Sequence, residues 1–314
     1  DTLARLHIAS PQLLGGTKGS HFITSNRPLQ EMLAGRGVYA EASDGRPVFI
    51  LPFPGGTLIG TTDLRFEGDP RDAVATQEEL QYLIDAVNHV LPIPRLSLQD
   101  VDMHYSGVRP LPRVDASTTG AITRRHWLEE SRGSSPPLYS IIGGKLTTCR
   151  SLAESAAGTI LARLGLAVRA NSRRRSLPGG EDYPTSESAL RNEWNQLAAK
   201  YGLSTAAVEA IWQLIGSSTR NMLAEIPLPS AMLAGTALPR SFAKWVVQHE
   251  HVRTLADLIE RRLMLLYQRS LTRRCLDQLA ELMVETNLLA GDQVGQEVQM
   301  TIRRLQEHFG KTVD

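Results

Sequence analysis

Apolar positions along the chain change their period near its middle. In the first half they alternate or gather in short runs closed by glycine and proline, the pattern of β-strands. Residues 19–24 alternate in character, and 47–53 form an apolar run bounded by prolines. Residues 57–62 follow the Gly55-Gly56 turn closely enough to make a hairpin with that run. Residues 102–105 and 138–142 are further strands. A helix is predicted over 76–91, with Thr76 as its cap and Glu79 three residues on. Leu80, Leu83, Ile84 and Val87 form its apolar stripe, and Pro92 and Pro94 end it.

After Gly144 the period becomes helical. Leu152, Ala156, Ile160 and Leu164 recur on one face, and Gly165 supplies a stop. Beyond Arg173-Arg174-Arg175 and Pro178-Gly179-Gly180, helices are predicted over 186–201, 204–215, 239–248, 254–267, 269–289 and 292–309. In the 254–267 helix, Leu255, Leu258, Ile259 and Leu266 face one side and Asp257, Glu260 and Arg261 another. The fold class is therefore α+β, mainly an antiparallel sheet followed by a helical domain. The expected division falls at residues 1–176 and 177–314.

Composition narrows the function classes. With 42% hydrophobic and 21% charged residues in 314, the chain has an ordinary globular balance. A formal charge of +1 gives no reason to expect a nucleic-acid partner. Cys149 and Cys275 stand far apart and suit neither a disulfide framework nor a metal site, so a reducing cytoplasm is the expected location. No apolar run is long enough to cross a bilayer. The chain opens at Asp1 without methionine and reads as a piece of something longer. It contains no G-x-G-x-x-G, Walker A, serine nucleophile elbow or Cys/His metal spacing.

Five places carry candidate chemistry. Lys145 follows Gly143-Gly144 and opens a helix, where bare backbone and helix-start N–H groups suit an anion or an electron-rich ring. Alone, the same residues make an ordinary connection with a solvent-facing lysine. Arg109, in Ser106-Gly107-Val108-Arg109-Pro110, follows what reads as a tight glycine turn and offers a bidentate guanidinium. Its plain alternative is a surface arginine paired with a nearby carboxylate. His21, after Lys18-Gly19-Ser20, has a ring able to take a proton near neutral pH. Thr61 and Thr62, before Asp63, either hydrogen-bond a ligand or shape a turn. Arginines 261, 262, 269, 273 and 274 have no acidic residue among them and form either a lipid-facing patch or a solvated helix face.

The order of these motifs is more specific than any one of them. Lys18-Gly19-Ser20-His21, Leu58-Ile59-Gly60-Thr61-Thr62-Asp63 with Gly68-Asp69-Pro70, Tyr105 to Leu111, and Gly143-Gly144-Lys145-Leu146-Thr147-Thr148 resemble the FAD-dependent glycerol-3-phosphate dehydrogenases. The likeness is to the aerobic, quinone-linked type within the D-amino-acid-oxidase-like group. The tail, with Gln248 to Asp257 and Arg261-Arg262, resembles that family's C-terminal domain. The resemblance implies an antiparallel substrate-binding sheet, then a closing strand and helix of the FAD domain over 138–164, with the glycine-fingerprint N-terminal unit missing.

It implies oxidation of sn-glycerol 3-phosphate to dihydroxyacetone phosphate, with hydride passing to the flavin and electrons then to a quinone. By resemblance, His21 is the base, Arg109 and Lys145 bind substrate, and Thr61 and Thr62 line its pocket. Gly143, Gly144, Lys145, Leu146 and Thr147 lie nearest the FAD. A homodimer and peripheral contact with the inner face of the cytoplasmic membrane are further implications. Cys149 stands where an aromatic residue is expected, which leaves quinone or oxygen open as the acceptor. Without a pyrophosphate cradle, the piece is expected to retain FAD weakly and to lack turnover; a non-enzymatic module that binds a phosphate ligand is the alternative.

Overall fold

The structure is a computed structural model and describes residues 2–8, 13–92, 95–113, 125–131, 135–167 and 171–313. The helix stop expected at Pro94 lies outside these residues. Tertiary contacts divide the chain into two compact units, Asp1–Arg175 and Ser176–Asp314.

In the first unit a short helix, α1 (Thr2–Arg5), precedes β1 (Leu14–Thr24), the central strand of an antiparallel sheet. After α2 (Arg27–Leu33) come β2 (Val38–Glu41), β3 (Pro47–Phe53) and β4 (Gly56–Gly60), stacked in the order β2-β3-β4-β1. β4 pairs with His21 to Thr24 of β1, and β5 (Leu64–Phe66) pairs with Gly16 to Lys18. Thr61-Thr62-Asp63 is the step between them. β6 (Met103–Pro112) runs along the whole opposite edge of β1.

The two faces of β1 separate by alternation. Phe22 joins Ile50, Ile59, Leu83, Ile84 and Val87 in a core beneath α3 (Gln77–Val90). Thr76 and Glu79 form the expected capping box at the start of α3. Thr17, Gly19 and His21 face the other way.

Gly107 differs from expectation. It makes no turn: it sits within the ten-residue β6, directly opposite Gly19 of β1. Glycine suggests a turn when read locally, but here two glycines meet across a strand pair.

β7 (Trp127–Ser131) and β8 (Leu138–Ile142) form a separate two-stranded sheet leading into α4 (Cys149–Arg163). No residue of α4 is buried, and Leu146 at its approach is 88% exposed.

The second unit is helical: α5 (Glu187–Tyr201), α6 (Thr205–Ile215), α7 (Thr219–Glu225), α8 (Arg240–His249), the short α9 (Leu255–Asp257), α10 (Arg273–Glu285) and α11 (Val294–Phe309). Its core includes Ile211, Trp212, Phe242, Leu258, Leu276 and Leu305. The single helix expected over 254–267 is broken. Leu258–Arg262 is a π-helical turn, and Leu263 N–H bonds back to Leu258. The cause is phase. An unbroken α-helix continuing Leu255, Leu258 and Ile259 would turn Arg262 inward. One extra residue per turn puts Leu263 there instead, and Leu263 is buried.

The arginine run carries less net charge than its sequence suggested. Arg261 pairs with Asp257, Arg262 lies 3.7 Å from Glu250, and Arg273 lies 3.9 Å from Asp277. Those carboxylates lie outside the run in sequence, which is why it read as purely basic.

Leu83 is fully buried at the centre of the first unit's core. Leu83→Ala is expected to cost about 3 kcal/mol of that unit's stability. Urea denaturation of the 314-residue chain measures it, and a loss below about 0.5 kcal/mol would contradict this packing.

Candidate active site

Cross-strand register builds the site on the face of the sheet turned away from α3. Phe49 pairs with Gly60, Gly60 with His21, and His21 with Tyr105, giving one row across β3, β4, β1 and β6. Two residues along β1, Gly19 faces Gly107; two further, Thr17 faces Arg109. The floor between imidazole and guanidinium is therefore two bare glycines. A Cβ on Gly19 would overlap the Arg109 guanidinium, whereas one on Gly107 would meet open space. A Cβ on Gly60 would overlap the His21 ring. Gly19 and Gly60 are thus required by close approach rather than by conformation.

Arg109 folds back over this floor onto three consecutive residues. Nη1 donates to Asp63 Oδ1 at 2.9 Å, and Nη2 donates to Thr61 Oγ1 at 3.2 Å and to the Thr62 carbonyl at 3.3 Å. The plain reading of Arg109, a pairing with a nearby carboxylate, is thus physically present. Its side chain remains 26% exposed, so the cation is braced without being sealed.

His21 stacks on Tyr105, with ring centroids 5.0 Å apart and planes 7° from parallel. Its Nδ1 is buried and has no hydrogen-bond partner among the described residues. Burial, and then the Arg109 charge, push its pKa down to about 4. The imidazole is therefore neutral at physiological pH.

Thr62 departs from the expected pocket role. Its side chain is buried, and Oγ1 donates to Glu79 at 2.7 Å and accepts from Ser20 N–H at 2.9 Å. The hydroxyl is committed to the core because Thr62 steps between two strands with its side chain on the α3 face. Only its carbonyl serves the site. Thr61 does present its hydroxyl to Arg109.

Lys145 belongs to a different neighbourhood. Gly143 and Gly144 adopt φ of 74° and 103°, a turn that disfavours side chains. Lys145 then caps a short 3-10 turn, Leu146–Thr148, before α4 begins. Lys145 and Thr148 line an open depression with Arg125 and His126. Leu146 and Thr147 are exposed. A bare glycine backbone beside an uncovered leucine and a lysine fits one edge of a flat, partly apolar ring such as a flavin. The sequence has no glycine fingerprint for the dinucleotide's diphosphate.

Reading the sequence missed Gly19 and Gly60 as makers of space, Asp63 as the partner of Arg109, and Tyr105 as the platform for His21. The signal was available: Thr17-x-Gly19-x-His21 and Tyr105-x-Gly107-x-Arg109 have the same period-two spacing.

Comparison with known proteins is consistent along the chain. Residues 2–150 match the FAD dependent oxidoreductase family, and 170–289 match the C-terminal domain of alpha-glycerophosphate oxidase. A glycerol-3-phosphate dehydrogenase of Synechocystis is 36% identical over 265 residues, 81% of this chain and 46% of its own length. The aerobic glycerol-3-phosphate dehydrogenase of Escherichia coli is 29% identical over 82% of this chain and 50% of its own. A D-erythritol 1-phosphate dehydrogenase of Brucella abortus is 30% identical, over 78% and 48%. The crystal structure of the glycerol-3-phosphate dehydrogenase from Bacillus halodurans, complexed with FAD, superposes with a TM-score of 0.75 at 25% identity, covering 94% of this chain and 57% of that one. The chain spans about half the length of the curated relatives it matches.

His21 is expected to titrate with a midpoint of about 4, followed by NMR of its ring protons. Arg109→Gln should raise that midpoint, because it removes a positive charge that opposes protonation. Since the folded pKa lies below the ordinary 6.5, the neutral ring stabilises the fold fully above pH 6.5, and this contribution is lost as pH falls towards about 4. A midpoint near 6.5, or one unmoved by the substitution, would contradict the geometry.

Proposed function

Because the chain belongs to the FAD-dependent oxidoreductases of the D-amino-acid-oxidase-like superfamily, among the glycerol-3-phosphate dehydrogenases, we propose that it is the substrate-binding and C-terminal part of an enzyme that oxidises sn-glycerol 3-phosphate to dihydroxyacetone phosphate. The observation that carries this reading is a braced cation and a neutral, buried imidazole facing one another over a glycine floor.

Each residue has a role matched to its surroundings. Arg109, held by Asp63 and Thr61, offers the phosphate a fixed positive charge with part of its surface open. His21, neutral and desolvated, accepts the hydroxyl proton as the carbon is oxidised. Lys145 supplies a second cation, shared between the substrate and the reduced cofactor. Gly143, Gly144, Lys145, Leu146 and Thr147 would hold the ring edge of FAD, which when bound supplies the hydride acceptor. Electrons would then pass to a quinone at the inner face of the cytoplasmic membrane. Among the described residues no helix is long and apolar enough to cross that membrane.

The relative acting on D-erythritol 1-phosphate marks the wider substrate class, a phosphate ester of a small polyol. A second reading is a non-enzymatic module that binds a phosphate ligand. Arg109, braced yet 26% exposed, would serve such a ligand as well.

Two measurements test the first reading. In the protein joined to a dinucleotide-binding half, Arg109→Ala and Lys145→Ala should each lower kcat/KM by about 100-fold or more, the scale of one lost electrostatic contact in a dry site. Near-normal kinetics in both would overturn the assignment. The 314-residue chain alone should purify without stoichiometric flavin, and a full complement of FAD by absorbance would contradict that expectation.

A further inference from the structure

Beneath the site, on the opposite face of the sheet, lies a buried polar cluster centred on Glu79. Its Oε2 accepts from Lys18 Nζ at 2.7 Å and from Thr76 N–H at 3.0 Å. Its Oε1 accepts from Ser20 Oγ at 2.8 Å and from Thr62 Oγ1 at 2.7 Å. Glu79 is 3% exposed and Lys18 6%. Burial works to raise the carboxyl's pKa, but bonds from Lys18, Thr76, Thr62 and Ser20 outweigh it and leave the group below its ordinary range.

Capping α3 requires only one of these oxygens. The other reaches into the crossover between β4 and β5. There Thr62 is held at every polar atom. Its N–H donates to the Ser20 carbonyl, its hydroxyl bridges Ser20 N–H and Glu79, and its carbonyl accepts from Arg109. Thr61 and Asp63, on either side, each carry a further acceptor of the guanidinium.

We propose that Glu79 is a positioning residue for the anion anchor: through Thr62 it fixes the Thr61-Thr62-Asp63 crossover, and that crossover aims the Arg109 guanidinium over the Gly19–Gly107 floor. The relay runs from a helix cap, through one hydroxyl, to three successive oxygen acceptors. It acts through backbone placement, so neither Glu79 nor the Thr62 hydroxyl touches the ligand. The proposal rests on Arg109 being the cation that meets the substrate's phosphate. Its core claim, that the Thr62 hydroxyl governs the guanidinium, is testable without any ligand.

The test uses the 314-residue chain and nitrogen–proton NMR of the Arg109 guanidinium. Separate Nη signals persist only while rotation is held by fixed acceptors. Thr62→Val removes the hydroxyl link and is expected to lose those separate signals. Thr62→Ser restores the hydroxyl and should restore them. Thr62→Ala serves the same purpose should Thr62→Val not yield folded protein. Val48→Ala, a core change on β3, lowers Tm and should leave the Arg109 signals as they are. If Thr62→Val lowers Tm yet leaves those signals unchanged, as Val48→Ala does, the cluster is only structural and the proposal fails. Inorganic phosphate added to the unaltered chain should shift the same signals. No shift would count against the phosphate role of Arg109, while loss and rescue at Thr62 would still support the relay.

Discussion

A carboxylate buried in an apolar interior must find donors for its lone pairs or be neutralised, and Glu79 finds four. That demand ties together parts of the chain that are far apart in sequence. It caps α3, fixes the long central strand at Lys18 and Ser20, and pins the crossover at Thr62. Removing one member of such a pair from the interior typically costs about 3–5 kcal/mol, since the partner is left charged and unpaired. The apolar core around Phe22, Leu83 and Ile84 supplies the bulk attraction between helix and sheet. The ion pair favours the registration in which that attraction also satisfies Glu79 with Lys18, Ser20 and Thr62.

The site above it is economical in side chains. Two strands with the same alternation bring Thr17, Gly19 and His21 against Arg109, Gly107 and Tyr105. Where both strands place glycine, the sheet opens and the guanidinium lies flat. Where both place rings, the sheet is covered and the imidazole loses its water. One device, strand register, thus sets both the exposure of the cation and the low proton affinity of the base.

Much of this was legible in the sequence. The cap at Thr76 and Glu79, the hairpin around Gly55-Gly56 and the helices over 186–201 and 204–215 are local signals, and they appear where the pattern put them. Arg109 and His21 were singled out, and the structure brings them together. What stayed hidden was non-local. Gly107 looks like a turn until its partner Gly19 is known. Thr62 looks like a pocket residue until the face it points to is known. The 254–267 stretch reads as one helix, yet continuing it would turn Arg262 inward, and the π-helical turn follows from this conflict. Glu79 shows both sides at once. Its capping oxygen follows from spacing alone, but the oxygen that reaches Thr62 depends on how the sheet folds over the helix.

The uncovered unit formed by β7, β8 and α4 has a consequence for handling the protein. A two-stranded sheet standing by itself is only marginally stable. Here it carries Trp127, Ile141, Leu146, Ile160 and Leu164 at the surface, while α4 buries nothing. Among the described residues, such a surface favours contact between molecules without either core unfolding. As the chain is concentrated, molecules will first meet at these strand edges and this helix face, and colloidal behaviour will depend on salt and crowding well below the temperature at which either core unfolds.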